Sequence, residues 1–151
     1  PGHAPTKETP LPEAPSETPN SQRASVHLHC AHCVALSRLP EIDADNALPP
    51  MTPYYLMRCG TTAQLPYFAP GDAAVGDAIR GLAGKYSCIL LANHGPVVAG
   101  ETLEAAVFAT EELEETAKLY LMLRGMNPRM RTKEQVGNLV TRFKLDSPIV
   151  K

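Results

Sequence analysis

Two histidines separated by a single residue, His27 and His29, are the first side chains of this chain whose type and spacing could support chemistry. Residues i and i+2 of a β-strand point to the same face, so two imidazoles at this spacing can share one metal ion through neutral ring nitrogens. An H-x-H pair alone is a weak signal, because two surface or core histidines explain it about twice as often.

A third histidine, His94, strengthens the metal hypothesis. It lies in the turn Asn93-His94-Gly95-Pro96, directly after an apolar run at residues 88–92 that predicts a buried strand. Polar active-site groups gather at strand ends in α/β folds. Three imidazoles with an open coordination position are typical of a catalytic zinc site. Packing of His94 within the turn is the alternative, and sequence spacing does not exclude it.

The segment Cys30-Ala31-His32-Cys33 offers a competing site, because a C-x-x-C pair can bind zinc or support redox chemistry. A structural zinc site usually needs a second matching pair, and Cys59 and Cys88 do not have that spacing. We therefore interpret Cys30 and Cys33 as packing residues, and we expect His32 to lie on the surface of the following helix.

The elements that must position these residues alternate between strand and helix. The periodicity predicts strands at residues 25–30, 65–69, 87–92 and 97–99, and helices at 31–39, 51–59, 73–83, 102–124 and 132–144. In the longest helix, an acidic face is predicted from Glu111, Glu112, Glu114 and Glu115. The alternation indicates an α/β layered fold.

Composition excludes several classes of protein. The 151 residues suit one domain, and a net charge of −2 gives no basic surplus for nucleic acid or for an anionic membrane. No apolar stretch is long enough to span a bilayer. No signal peptide opens the chain, so we expect a cytoplasmic protein with four free thiols. Dense prolines predict a flexible or extended arm at residues 1–24, before a domain at 25–125 and a C-terminal helical tail at 126–151.

Three stretches together resemble the class II aldolase/adducin family: His27-Leu28-His29, the run from Leu90 to Val98 around Asn93-His94-Gly95-Pro96, and the helical segment at residues 111–120. The resemblance covers about residues 1–125. It implies a three-layer α/β/α domain with a mostly antiparallel central sheet, N-terminally truncated in this chain. It also implies a homotetramer with active sites at subunit interfaces.

The same resemblance assigns roles to five residues. His27, His29 and His94 match the ligands of Zn²⁺ or another divalent metal. Glu8 matches the catalytic acid/base, because it lies in a similar Pro-Thr-Lys-Glu stretch and precedes His27 by 27 − 8 = 19 positions. Tyr55 is similar to the tyrosine that reaches a neighbouring subunit's site.

Within the family, residues 92–100 and 111–120 are most similar to the branch of 3-oxo-tetronate 4-phosphate decarboxylases. That branch implies a lyase that cleaves a C–C bond of a small phosphorylated sugar acid, giving dihydroxyacetone phosphate and CO₂ through a zinc-stabilised enediolate. The alternatives are an L-fuculose-phosphate-type aldolase, a non-catalytic adducin-like interaction domain, and an inactive fragment. The last two are favoured by the absence here of the family's phosphate-binding Gly- and Ser-rich turns. Residues 11–24 also depart from the family, because their prolines forbid its amphipathic helix there.

Overall fold

The computed structural model describes residues 24–145 of the chain. The elements of this range are, in order, β1 (Ala24–His27), α1 (Ala31–Leu36), α2 (Pro53–Arg58), β2 (Thr62–Leu65), α3 (Ala74–Leu82), β3 (Cys88–Leu91), β4 (Gly95–Gly100), α4 (Leu103–Leu123) and α5 (Lys133–Phe143). Glu8 and the predicted arm, apart from Ala24, lie outside the described residues. Within the described range, no helix is both long enough and apolar enough to cross a membrane.

The strands of this range form a mixed sheet in the order β1-β4-β3-β2. β4 runs antiparallel to both β1 and β3, whereas β2 runs parallel to β3. The parallel pair arises because α3 connects β2 to β3 as a crossover, which returns the chain to the same end of the sheet. The predicted α/β fold is confirmed, and the expectation of a mostly antiparallel sheet is corrected to a mixed one.

Helices cover both faces of the sheet. Successive side chains of β3 point to opposite faces, as a strand requires. Cys88 and Leu90 therefore join a core cluster with residues of α1, α2 and α4, such as Leu113. Ile89 and Leu91 join a second cluster with α3. The domain thus has the three α/β/α layers that the resemblance implies.

The predicted helices agree with the observed ones to within three residues at each end. Three of them begin at threonine caps: the hydroxyls of Thr52, Thr102 and Thr132 each accept a hydrogen bond from the N–H three residues later. The second strand begins earlier than the predicted 65–69. Its register pairs Thr62 with Cys88 and Leu65 with Leu91. The bounds of β2 are therefore set by its pairing with the buried strand β3, and not by the local sequence pattern.

Gly100 brings α4 close to the end of β4. A Cβ atom at this position would lie 2.7 Å from the backbone nitrogen of Ala106. The helix therefore packs directly on the strand only because residue 100 carries no side chain. This contact sets the position of α4 relative to the strands that carry the histidines.

Candidate metal centre

The structure brings together the three histidines that the sequence analysis singled out. His27 ends β1, His29 follows it by two residues, and His94 lies in the turn between β3 and β4. Their ring centroids are separated by 5.2 Å for His27 and His29 and by 4.9 Å for each of the other two pairs. One ring nitrogen from each can be chosen so that all three lie within 4.8 Å of one another. Within residues 24–145, this histidine cluster is the one group of potential metal ligands of this kind.

The orientation of His27 is fixed by the neighbouring strand. Its Nδ1 lies 2.8 Å from the backbone carbonyl oxygen of Pro96. A carbonyl oxygen only accepts, so Nδ1 carries the hydrogen and donates it, and the lone pair of the neutral ring is on Nε2. A hydrogen bond of this kind commonly orients metal-bound histidines and selects their tautomer. The ring of His27 is therefore held in the form that a metal ion requires.

The Nε2 atoms of His29 and His94 face each other at 3.0 Å. This is the length of an N–H···N hydrogen bond. It is also close to the ~3.3 Å that separates two nitrogens bound to one tetrahedral zinc at about 2.0–2.1 Å. Small movements of two rings would thus convert this contact into joint coordination of one ion.

Solvent reaches the cluster from the side of His29, whose side chain is exposed, while His27 and His94 are half-buried. A site closed on all sides would suit a structural metal, whereas three protein ligands with an accessible fourth position are typical of a catalytic one. The exposure of His29 therefore resembles the second kind of site more than the first.

The turn that carries His94 depends on two special backbone positions. Asn93 adopts a φ of 60°, a left-handed conformation that asparagine tolerates better than most residues. The N–H of His94 donates to the carbonyl oxygen of Leu91 at 3.1 Å, which closes the turn. Gly95 then passes so close to the segment between β1 and α1 that a Cβ atom at residue 95 would lie 2.7 Å from the carbonyl oxygen of Leu28.

Glu114 makes a set of contacts that the sequence analysis did not foresee. Its Oε1 accepts hydrogen bonds from the backbone N–H of His32 at 2.9 Å and from His32 Nδ1 at 2.8 Å. Its Oε2 accepts from the backbone N–H of Cys33 at 2.9 Å. Burial opposes ionisation of this carboxyl, but the hydrogen bonds from His32 and Cys33 outweigh burial and lower its pKa below the ordinary value. Glu114, which was predicted to lie on an acidic face, therefore joins α4 to the start of α1 by hydrogen bonds.

The lowered pKa of Glu114 predicts a pH-dependent contribution to stability. A folded-state pKa below the ordinary 4.5 means that the carboxylate stabilises the fold fully above about pH 4.5, and that this contribution is lost as pH falls through the folded-state pKa. We expect Glu114→Gln to lower the free energy of unfolding at neutral pH by about 1.5–3 kcal/mol, as for hydrogen bonds to charged groups. Urea unfolding from neutral pH down to about pH 3 measures the difference from wild type. A difference that does not shrink on acidification would contradict this prediction.

The C-x-x-C pair behaves as packing residues in the structure. All four cysteines are free thiols, and Cys33 is fully buried in the core. Burial, together with a hydrogen bond to Glu114, raises the pKa of the Cys33 thiol far above its ordinary range. Burial and the charge of Glu114 also raise the pKa of Cys30. Within residues 24–145, neither cysteine belongs to a group of three or more potential metal ligands, which argues against the competing metal site.

Tyr55 does not join the histidine cluster. Its side chain is fully buried, and its hydroxyl lies 2.9 Å from the Thr62 hydroxyl and 3.4 Å from the carbonyl oxygen of Leu48. Burial raises the pKa of this phenol far above its ordinary range. Its predicted role in a neighbouring subunit's site stays a prediction, and that role would require the phenol to leave the core. Its neighbour Tyr54 is 59% exposed.

Comparison with known proteins identifies a family for the chain. Residues 3–121 match the family model of the Class II Aldolase and Adducin N-terminal domain. The chain is 46% identical over 117 residues to the 3-oxo-tetronate 4-phosphate decarboxylase of Pectobacterium atrosepticum, an alignment that covers 78% of this chain and 54% of that protein. The enzyme of the same name from Haemophilus influenzae is 43% identical over 145 residues, which cover 95% of this chain and 68% of that protein.

An L-fuculose phosphate aldolase from Haemophilus influenzae is a more distant relative. It is 29% identical over 125 residues, which cover 80% of this chain and 55% of the aldolase. The chain spans about half the length of this aldolase and of the Pectobacterium enzyme.

Solved structures show the same fold. The crystal structure of YgbL from Klebsiella pneumoniae, provisionally assigned as an aldolase, epimerase or decarboxylase, superposes with a TM-score of 0.87 at 43% identity. That alignment covers 91% of this chain and 67% of the solved one. An L-fuculose 1-phosphate aldolase superposes with a TM-score of 0.77 at 22% identity, over 95% of this chain and 66% of that one, and supports the fold alone.

Proposed function

This chain belongs to the class II aldolase and adducin family, and from that premise we propose that it is the metal-binding part of a carbon–carbon lyase. The proposed substrate is a phosphorylated 3-oxo-tetronate, which would lose CO₂ to give dihydroxyacetone phosphate. The observation that carries the proposal is the histidine cluster, with its two facing Nε2 atoms 3.0 Å apart and its open side. The identity of 46% and 43% to two decarboxylases of this substrate supports the choice of reaction.

The donor set fits a divalent cation, and zinc is the ion we propose. Three neutral imidazoles are a common ligand set for catalytic zinc. The hydrogen bond between His27 Nδ1 and the Pro96 carbonyl leaves the lone pair on Nε2, the atom that can bind the ion. When bound, the cation supplies a Lewis acid that stabilises negative charge on the oxygen atoms of the substrate as the C–C bond breaks.

The protein's own residues would orient the substrate and move protons. The exposed side of His29 is the direction from which the substrate would approach. We propose Glu8 as the general acid/base that returns a proton to carbon, a role that rests on the family resemblance of its segment. The role of Tyr55 in a neighbouring subunit's site rests on the same resemblance. Exposed apolar side chains at the start of α4 (Leu103, Val107 and Phe108) support a homo-oligomer, which we propose to be a tetramer.

An aldolase is the second candidate function, and the relationship to an L-fuculose phosphate aldolase at 29% identity favours keeping it. Decarboxylation and aldol cleavage both leave a carbanion equivalent next to a carbonyl group, so a metal-binding cluster suits either reaction. They differ in the group that leaves, which is CO₂ in one case and an aldehyde in the other.

Product analysis separates the candidates. We expect the Zn²⁺-loaded protein to release CO₂ from a 3-oxo-tetronate 4-phosphate, to lose this activity on chelation and to regain it with Zn²⁺. Release of an aldehyde from L-fuculose 1-phosphate without release of CO₂ would favour the aldolase. Metal binding without either product would contradict the lyase proposal and favour a non-catalytic interaction domain of the adducin type.

A further inference from the structure

The segment between β1 and α1 carries His29, yet little burial holds it in place. Leu28 is 51% exposed and the side chain of His29 is exposed. Besides the close approach of Gly95 to its backbone, such a segment takes its position from the anchors at its two ends. One anchor is β1 itself, which pairs with β4 along its whole length. The other is the beginning of α1, at Cys30.

The beginning of α1 lacks a cap of its own. Cys30 occupies the N-cap position with an extended backbone, but its side chain makes no capping hydrogen bond, and the first turn contains no acidic residue. The N–H groups that a cap would satisfy belong to His32 and Cys33. Both donate instead to the carboxylate of Glu114, which projects from α4 at a sequence separation of more than 80 residues.

Glu114 lies on a long helix, α4, that is packed into the core. α4 is 21 residues long, and its residues Leu113 and Ala117 are fully buried on either side of Glu114 along the helix. The same carboxylate also accepts a hydrogen bond from His32 Nδ1, so three hydrogen bonds join it to the first turn of α1. The carbonyl oxygen of Cys30 in turn accepts from the N–H of Val34 at 2.8 Å, which joins the ligand segment to the helix that Glu114 holds.

We propose that Glu114 is a positioning residue of the metal centre, which acts by fixing the start of α1 and thereby the location of His29 opposite His94. This inference rests on the proposed function, because it assumes that the histidine cluster binds a metal ion. Glu114 is not a ligand in this scheme, since the group of potential ligands contains only the three histidines. Its effect on the ion passes through the backbone of residues 29–33.

Glu112 provides a matched control on the same helix. Its Oε1 accepts a hydrogen bond from the hydroxyl of Thr52 at 2.9 Å, and that hydroxyl caps α2. Glu112→Gln and Glu114→Gln are therefore the same chemical change, and each weakens the hydrogen bonding of one α4 carboxylate to the start of a short helix. Only the helix held by Glu114 is joined directly to a metal-ligand segment.

The experiment measures the dissociation constant for Co²⁺, by titration of its visible absorption bands, in wild type and in both variants. We expect Glu114→Gln to raise the Kd about tenfold, the lower end of the effect of removing a group that orients metal ligands, and to alter the Co²⁺ spectrum. We expect Glu112→Gln to keep the wild-type Kd and spectrum. Thermal unfolding with a chelator present shows the loss of stability in each variant separately.

A purely structural role for Glu114 would lower the unfolding temperature of the chelated protein and leave the Kd and spectrum of the folded protein unchanged, which would overturn the inference. An equal rise in Kd in both variants would overturn it as well. Failure of the wild-type protein to bind Co²⁺ would instead overturn the proposed metal centre, and the inference with it.

A serine cap at the start of α1 tests whether Glu114 acts on His29 through this end of the helix. Cys30→Ser places a hydroxyl at the N-cap position of α1, where serine can accept from the N–H of Cys33. We expect Cys30→Ser combined with Glu114→Gln to regain most of the Co²⁺ affinity, and this double variant serves if Glu114→Gln alone does not fold. Recovery of thermal stability without recovery of affinity would show that Glu114 does not act through the start of the helix.

Discussion

Replacement of His94 by alanine is expected to lower the affinity for Zn²⁺ by about a hundredfold or more. Structural zinc sites with four ligands bind with about 10–16 kcal/mol at neutral pH, so one ligand corresponds to roughly 3 kcal/mol, or about two powers of ten. The remaining pair, His27 and His29, would form an H-x-H chelate with no third point of attachment. Competition with a chelator of known affinity, together with elemental analysis of the purified variant, measures the change.

His32→Ala is the matched control for this experiment. His32 is a histidine of the same region whose side chain is 40% exposed, but it contacts Glu114 rather than the cluster. Its removal leaves the two backbone hydrogen bonds to Glu114 intact. We expect the His32→Ala protein to retain its zinc. Equal zinc content in the His94→Ala and His32→Ala proteins would exclude His94 as a ligand.

The second large effect is expected from Gly95→Ala. A Cβ atom at residue 95 would lie 2.7 Å from the Leu28 carbonyl oxygen and 3.6 Å from the Cα of His29. Both neighbours are backbone atoms of a segment that ends at a strand on one side and at a helix on the other, so they cannot move aside as a flexible side chain would. We expect a loss of about 1–3 kcal/mol in the free energy of unfolding, as for overpacking, and a lower zinc affinity because His29 and His94 are forced apart.

Gly81→Ala serves as the control for Gly95→Ala. Gly81 lies within α3, and a Cβ atom there would meet no heavy atom within 4 Å. Alanine is favoured over glycine inside a helix by roughly 0.5–1 kcal/mol, so this variant should be slightly more stable than wild type and should bind zinc equally well. Urea unfolding and chelator competition on both variants make the comparison. If Gly95→Ala keeps the wild-type stability and zinc affinity, the close approach of Gly95 to Leu28 and His29 is not required for either property.

The sequence predicted the histidine cluster because its signals are local. Alternation around residues 25–30 placed His27 and His29 on one face, and their rings lie 5.2 Å apart although the strand ends at His27. The apolar run before Asn93 placed His94 at a strand end. Helix boundaries were predictable for the same reason, since caps such as Thr102 lie within a few residues of the helix they begin.

Tertiary contacts account for what the sequence did not predict. Helical periodicity placed Glu112 and Glu114 on an acidic face, but it does not say which glutamates meet another element, and the partners of Glu114 are 81 and 82 positions away. The adjacent residues Tyr54 and Tyr55 look alike in sequence, and only packing decides which phenol is buried. The close approach of Gly95 to Leu28 likewise depends on how two distant segments meet.

The pairing of β1 with β4 links ion binding to the order of folding. His29 and His94 are 65 positions apart, and His27 is 69 positions from the Pro96 carbonyl that orients its ring. Formation of such contacts requires closure of a long loop, which costs chain entropy before any contact compensates for it. The ion can be bound by all three imidazoles only after this closure. On the proposed function, metal affinity therefore reports whether β1 has joined the sheet, and a bound ion would stabilise that completed state by mass action.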